Sequence, residues 1–228
     1  MRTFAKKKRT MANKAIIAGS SGLIGSKLLE ILLQQPFYDE VLILVRKELS
    51  TKHPKLTQLV VDFTRQETYA DQLTGHAIFC CLGTTKSKTP DLAVYRQIDH
   101  DYPLRLGQLA HKNGVKQYHL VSSIGANTTS SAFYTKTKGE TEADLQQVGF
   151  PALHIYRPSL LTGDRQEKRI TEKLIIVLFK IIDPLLFGGL KKYRSIPAAT
   201  VAAAMYTQSI KNDTALFIYE SDKIKQLS

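Results

Sequence analysis

Tyr134 and Lys138 stand four residues apart in Tyr134-Thr135-Lys136-Thr137-Lys138, a spacing that puts both side chains on one face of a helix. An ammonium beside a phenol favours the phenolate and lowers the tyrosine pKa towards working pH, so the pair can give or take a proton. Upstream, Ser122-Ser123 ends a short apolar run. A serine hydroxyl there can orient the oxygen of a carbonyl or an alcohol. A Tyr-x-x-x-Lys spacing arises often by chance, and its weight comes from the residues around it.

The first of these are Gly19-Ser20-Ser21-Gly22-Leu23-Ile24-Gly25, which follow the apolar run Ala15-Ile16-Ile17-Ala18. Leu23, Ile24, Leu28, Leu29, Ile31, Leu32 and Leu33 then recur at helical intervals until Pro36. Between a strand and a helix each glycine has a task. Gly19 turns the chain, Gly22 lets the backbone approach a pyrophosphate, and Gly25 lets the helix pack closely on the sheet. An ordinary tight turn is the alternative.

A second apolar run, Val41 to Val45, ends at Arg46-Lys47. In dinucleotide-binding folds this strand tip carries an acid for a ribose hydroxyl or a base for a 2′-phosphate. With no acid present, two cations can clamp a 2′-phosphate, Arg46 with bidentate geometry, unless both are simply solvated. Asp62, just past a third run at Leu59-Val60-Val61, either accepts from an adenine amino group or caps a helix or turn. After the fourth run, Leu82-Gly83-Thr84-Thr85 offers a glycine for close backbone approach to the inner ribose, or a plain loop.

The elements needed to position these residues are legible in outline. The fourth run is Ala77 to Leu82, the fifth Tyr118 to Val121 and the sixth Leu153 to Tyr156, ending before Pro158. Helical patterns lie between them: Asp91 to His111, with Pro103 bending or interrupting it, and Tyr134 to Val148. A last helix is expected from Ala198 to Ile210 and a terminal strand from Leu216 to Tyr219. Strands alternating with helices imply an α/β fold with a doubly wound parallel sheet of the Rossmann type, whose ligands bind at the carboxyl ends of the strands. The expected division is a basic disordered extension over 1–13 and one domain over 14–228. Within it, 159–228 forms a small substrate or lid region. The apolar stretch from Ile170 to Leu190, broken by Lys180, Asp183 and Pro184, reads as a buried or lid helix or as an amphipathic helix lying on a surface. It does not read as a membrane span.

A chain of 228 residues with 43% hydrophobic and 23% charged residues suits one globular domain. Its formal charge of +12 is concentrated by Arg2, Lys6, Lys7, Lys8 and Arg9, which read as a solvated extension rather than a specific nucleic-acid site. Cys80 and Cys81 are adjacent, where a mutual disulfide would be badly strained, and two cysteines do not make a zinc site. With no apolar segment of the secretory kind near the start, a cytoplasmic protein is expected.

With these motifs in place, the chain resembles the atypical short-chain dehydrogenase/reductases, and among them the Tat-interacting oxidoreductase-like, NAD(P)H-binding family. The resemblance runs from about Lys14 to at least Ala204. Its most specific blocks are Cys80-Cys81-Leu82-Gly83-Thr84-Thr85, Ser122-Ser123-Ile124-Gly125-Ala126, Tyr134 with Lys138-Gly139-Glu140, Arg157-Pro158, and Asp164-Arg165-Gln166-Glu167-Lys168-Arg169. It implies NADP(H) held by Ser21, Gly22, Leu23 and Ile24, by Arg46 with Lys47, by Leu82 with Gly83, and by Tyr134, Lys138, Leu161 and Arg169. Lys47 stands where the family has a second arginine, which keeps the charge and loses a bidentate group. Analogy with extended short-chain enzymes favours Ser123 over Ser122 as the orienting hydroxyl, with Tyr134 and Lys138 completing the catalytic set. Pro158 would set backbone beside the nicotinamide, or simply end its strand. The implied activity is an NADPH-dependent oxidoreductase acting on a carbonyl or alcohol. The alternatives are a regulator that senses NADPH and engages a protein partner, and an epimerase or dehydratase that recycles its cofactor. Substrate and oligomeric state are not readable.

Overall fold

The computed structural model describes residues 13–163 and 183–228. The basic residues of the extension, Arg165, Arg169 and the apolar stretch up to Ile182 lie outside the described residues. Seven parallel strands form one sheet in the order β3-β2-β1-β4-β5-β6-β9. They are β1 (Lys14–Ala18), β2 (Glu40–Val45), β3 (Leu56–Val60), β4 (Ala77–Cys80), β5 (Gln117–Val121), β6 (Ala152–Arg157) and β9 (Leu216–Glu220). A separate two-stranded pair joins β7 (Leu161–Thr162) to β8 (Ile196–Pro197).

The central strands are largely apolar because both faces are covered, with Gln117, His119 and His154 as buried polar exceptions on β5 and β6, and their side chains divide by alternation. Ala15, Ile17, Ile43 and Phe79 pack under α1 (Leu23–Gln34), α5 (Ala198–Ser209) and α6 (Ser221–Leu227). Ile16, Ala18, Leu42, Leu44, Ile78 and Cys80 pack under α3 (Tyr102–Lys112), α4 (Phe133–Val148) and a 3₁₀ segment at Phe63–Gln72. The chain leaves β1 for β2 on one side and returns as β4 on the other. The order therefore reverses between β1 and β4, where a crevice opens at the carboxyl ends.

Three departures from the expected elements have local causes. The third strand begins at Leu56 rather than Leu59, because its half-exposed edge position admits Thr57 and Gln58, which break the apolar pattern. The helix expected over 91–111 is divided into α2 (Leu92–Arg96), a π turn at Gln97–Asp101, and α3. Pro103 has no N–H for the Asp99 carbonyl four residues back, and Thr141 Oγ1 lies 2.9 Å from that carbonyl and 2.8 Å from the Thr137 carbonyl, with one proton to share between them. Residues 183–190 form no continuous helix; two short 3₁₀ turns, Asp183–Leu185 and Gly188–Tyr193, occupy this stretch and its continuation. Among the described residues no helix is long and apolar enough to cross a membrane.

One face of the sheet carries a ladder of flat rings. Phe79, His119, His154 and Phe217 are successive cross-strand partners on β4, β5, β6 and β9. Their centroids lie 4.7, 4.4 and 4.7 Å apart, with the two imidazoles 2° from parallel. His119 Nδ1 lies 3.2 Å from the Tyr156 hydroxyl and its Nε2 3.3 Å from Gln117 Oε1, while His154 Nδ1 lies 3.1 Å from the Tyr219 hydroxyl. A neutral His119 ring accepting at Nδ1 and donating from Nε2 satisfies both of its partners.

Burial pushes both imidazoles down, His119 well below the ordinary range with help from His154 and His76, and His154 to about 4. The unfolded chain binds these protons near pH 6.5 and the folded chain does not. Their stabilising effect is therefore complete above that pH and is lost as pH falls towards 4, at up to about 1.4 kcal/mol per pH unit for each ring. Thermal melts between pH 7.5 and 4.5 should show this loss. His154→Phe should remove roughly half of the imidazole slope while leaving the melt at pH 7.5 little changed.

Candidate active site

The glycine turn is set by backbone meeting backbone. Gly19 has φ +89°, and a Cβ there would lie 2.6 Å from the Cys81 carbonyl carbon and oxygen, at the end of β4. A Cβ on Gly25 would lie 2.1 Å from the Gly19 oxygen, so only glycine lets the first turn of α1 sit this close to the turn before it. The Gly22 amide donates to the Gly19 carbonyl at 3.0 Å, and a Cβ on Gly22 would be 3.2 Å from the same oxygen. No side chain caps α1 and its first turn holds no acid. Its leading amides and positive dipole end are thus available to an anion. Ser20, which sequence reasoning did not single out, is buried in this turn, and its hydroxyl has no partner among the described residues. A pyrophosphate fits this cradle by shape, charge and donor supply.

Arg46 and Lys47 lie exposed just beyond β2, and neither forms an ion pair among the described residues. Arg46 and Asp62 both act electrostatically on the Tyr102 phenol, so the three lie near one another. Asp62 Oδ1 accepts from the Thr64 amide at 2.9 Å and from its hydroxyl at 2.7 Å. These bonds hold its carboxyl below the usual range. Of the two roles open to Asp62, the geometry displays the helix cap.

The two serines part company. Ser122 Oγ donates to Glu142 Oε1, and the same buried carboxylate takes Arg157 Nε at 3.0 and 3.1 Å together with Arg157 Nη2. That hydroxyl is committed to a network joining the ends of β5 and β6 to α4. Among the described residues Ser123 Oγ makes only a contact of 3.2 Å with the Ile124 carbonyl. The parallel pairing continues past the strands, with Ser122 N–H donating to Tyr156 O and Ile124 N–H to Pro158 O, so the serine pair lies beside Arg157-Pro158. A Cβ on Gly139 would lie 2.3 Å from the Asn127 carbonyl carbon. This close approach presses the loop after β5 onto the first turns of α4, which carry Tyr134 and Lys138.

Tyr134 is 42% exposed, whereas Lys138 is 4% exposed. Lys138 Nζ lies 2.9 Å from Asp99 Oδ1, and Asp99 Oδ2 accepts the Thr84 amide at 2.8 Å. Burial pushes the Lys138 ammonium down, but the Asp99 carboxylate outweighs it, with Tyr134 adding to the effect, and holds the group above the ordinary lysine range. A Cβ on Gly83 would meet these same two atoms at 3.5 and 3.8 Å, so the Leu82-Gly83 backbone lies directly over the pair. Leu161 sits half-buried in β7, and the Leu23 side chain lies 3.1 Å from a Cβ built on Gly163. This segment therefore reaches the start of α1. A cavity of about 870 Å³, lined by residues such as Asn13, His76 and Gln117, opens at the opposite, amino end of the sheet.

The turn, the strand tips and the α4 residues thus surround one crevice. The NAD(P)H-binding family model matches residues 19–208, from the first glycine of the turn to the end of α5. The chain belongs to the NAD(P)H-binding family. Within it, the chain is 36% identical to Protein HTATIP2 of Rattus norvegicus over 200 residues, covering 86% of this chain and 81% of the relative. It is 32% identical to the mitochondrial Protein FMP52 of Coccidioides immitis over 207 residues, covering 85% and 84%. The fold matches that of the Bordetella bronchiseptica enzyme WbmH in complex with NAD⁺, with a TM-score of 0.69, 16% identity and coverage of 94% and 79%. It also matches a UDP-N-acetylglucosamine 4-epimerase from Methanobrevibacter ruminantium M1, with a TM-score of 0.68, 16% identity and coverage of 92% and 76%.

The family turn supplies a sharp prediction. Gly25→Ala should weaken NAD(P)H binding by at least about a hundredfold and lower the melting temperature, because its methyl group would occupy the place of the Gly19 carbonyl. Gly189→Ala, where an added methyl meets nothing within 4 Å, should change neither in the same fluorescence titrations and melts.

Proposed function

We propose that this protein is an NADPH-dependent oxidoreductase that interconverts a carbonyl and an alcohol. The observation that carries this reading is the arrangement on α4: Tyr134 exposed to the crevice, Lys138 buried as a cation one turn below, and the Gly83 backbone over Lys138. When bound, the nicotinamide supplies or receives the hydride.

The chain's own residues do the rest. Amides at the start of α1 bind the pyrophosphate, and Arg46 with Lys47 bind the 2′-phosphate. Lys138 holds the inner ribose and keeps positive charge beneath the phenol. Tyr134 gives the substrate oxygen its proton in reduction and takes it back in oxidation. Ser123, whose hydroxyl is not drawn into the Glu142 network, orients that oxygen. Cys80 and Cys81 are free, and burial pushes both thiols up, so neither is a ready nucleophile. Free thiols suit a reducing compartment, and a cytoplasmic location belongs to this proposal.

Two variants test the reading, with NADPH absorbance followed across a panel of aldehydes and ketones. Tyr134→Phe should lower turnover by about a thousandfold or more while NADPH affinity stays within about threefold. Unchanged turnover would remove Tyr134 from the mechanism. Arg46→Ala should weaken NADPH binding about tenfold or more and leave NADH binding nearly as it was. Tight stoichiometric binding of NADPH with no turnover of any substrate would point instead to a sensor, and nucleotide that co-purifies without net consumption to an epimerase or dehydratase.

A further inference from the structure

We propose that Asp99 is a positioning residue of the Tyr134–Lys138 pair, holding the Lys138 ammonium beneath Gly83 and supplying its permanent counter-charge. The inference rests on the reading of Lys138 given above.

Asp99 is 1% exposed and is held from three sides. Its Oδ2 accepts the Thr84 amide, its Oδ1 faces Lys138 Nζ at 2.9 Å, and its main-chain carbonyl shares the Thr141 hydroxyl of α4 with the Thr137 carbonyl. Thr141 lies three residues beyond Lys138, so the same face of α4 grips both the backbone and the carboxylate of Asp99. The π turn and Pro103 make this possible, since the proline leaves the Asp99 carbonyl free for Thr141.

A buried ammonium with no counter-charge gives up its proton readily. The groups acting on Lys138 are Tyr134 on its own helix, Tyr95 on α2, Cys80 and Cys81 at the end of β4, and Asp99 on the π turn. Burial raises the two thiols and the Tyr95 phenol, which keeps them neutral. Asp99 is the carboxylate that pairs with Lys138 among the described residues. Without it, the cation that holds ribose and supports Tyr134 would be lost as pH rises.

The test uses the full chain and reads NADPH binding by fluorescence between pH 7 and 9.5. The wild type sets the reference slope. Asp99→Asn should lose affinity progressively with pH, falling about tenfold further than the wild type by pH 9.5. The double variant Asp99→Asn with Lys138→Met, which has no amine to titrate, should return to the wild-type slope. An Asp99→Asn protein that follows the wild-type slope would overturn the proposal, since a merely structural role would lower stability without changing the pH dependence.

Melting supplies the second arm, independent of turnover and of nucleotide. Lys138→Met strands a buried carboxylate and should melt below the double variant, in which both charges are gone. A double variant less stable than Lys138→Met alone would also overturn the proposal. Absence of turnover in every variant would tell against the oxidoreductase reading and would leave these two outcomes to decide the role of Asp99.

Discussion

The structure turns on one steric constraint, the approach of the Gly19 turn to the end of β4 on one side and to the start of α1 on the other. Contacts at 2.6 and 2.1 Å from hypothetical methyl groups leave no room for any side chain at Gly19 or Gly25. Because β1 and β4 are neighbours at the point where strand order reverses, the same closeness that joins them also opens the crevice beyond their tips. The uncapped end of α1 then points its dipole at whatever enters. Fold and site share a single origin, and neither tolerates an extra carbon at that junction.

A second layer of order is polar and lies around α4. The helix receives contacts from three separate strand ends: Ser122 and Arg157 through Glu142, and the Thr84 loop through Asp99. The two networks differ in kind. Glu142 ties strand to strand and leaves Ser122 no freedom, while Asp99 and Lys138 form a charge pair directly beneath the loop after β4. Buried charge pairs are costly to assemble, and their placement here is tied to the residues on which chemistry is proposed.

Much of this was legible in the residues alone. Continuous apolar runs marked β1, β2 and β4, and β5 and β6 were legible despite His119 and His154, because the residues around each histidine are large, apolar or aromatic. The glycine spacing marked the turn. The start of β3 was hidden by Thr57 and Gln58, which an edge strand can expose. The pairing of β7 with β8 was hidden because each strand is two residues long and finds its partner more than thirty residues away. Asp99 was passed over for another reason: beside His100 and Asp101 in a helical stretch, it looks like one more surface acid. Its one clue was an aspartate four residues before a proline, a spacing that leaves its carbonyl in need of a donor from another element. Only the family analogy favoured Ser123 over Ser122, because the residues around the pair do not reveal that Glu142, twenty residues on, takes the Ser122 hydroxyl.

The row of rings on β4, β5, β6 and β9 has a consequence for how the sheet can be watched. Its spacings of 4.4 to 4.7 Å nearly equal the distance between neighbouring strands, about 4.8 Å, so each ring lies over the next at the pitch of the backbone. Any fraying of β9 or slippage of β6 must slide one ring off another before the hydrogen-bond ladder parts. The imidazole protons, each lying in the shielding cone of a neighbour, are therefore a built-in magnetic ruler for the far half of the sheet. They report its integrity without a label and at a distance from the nucleotide crevice.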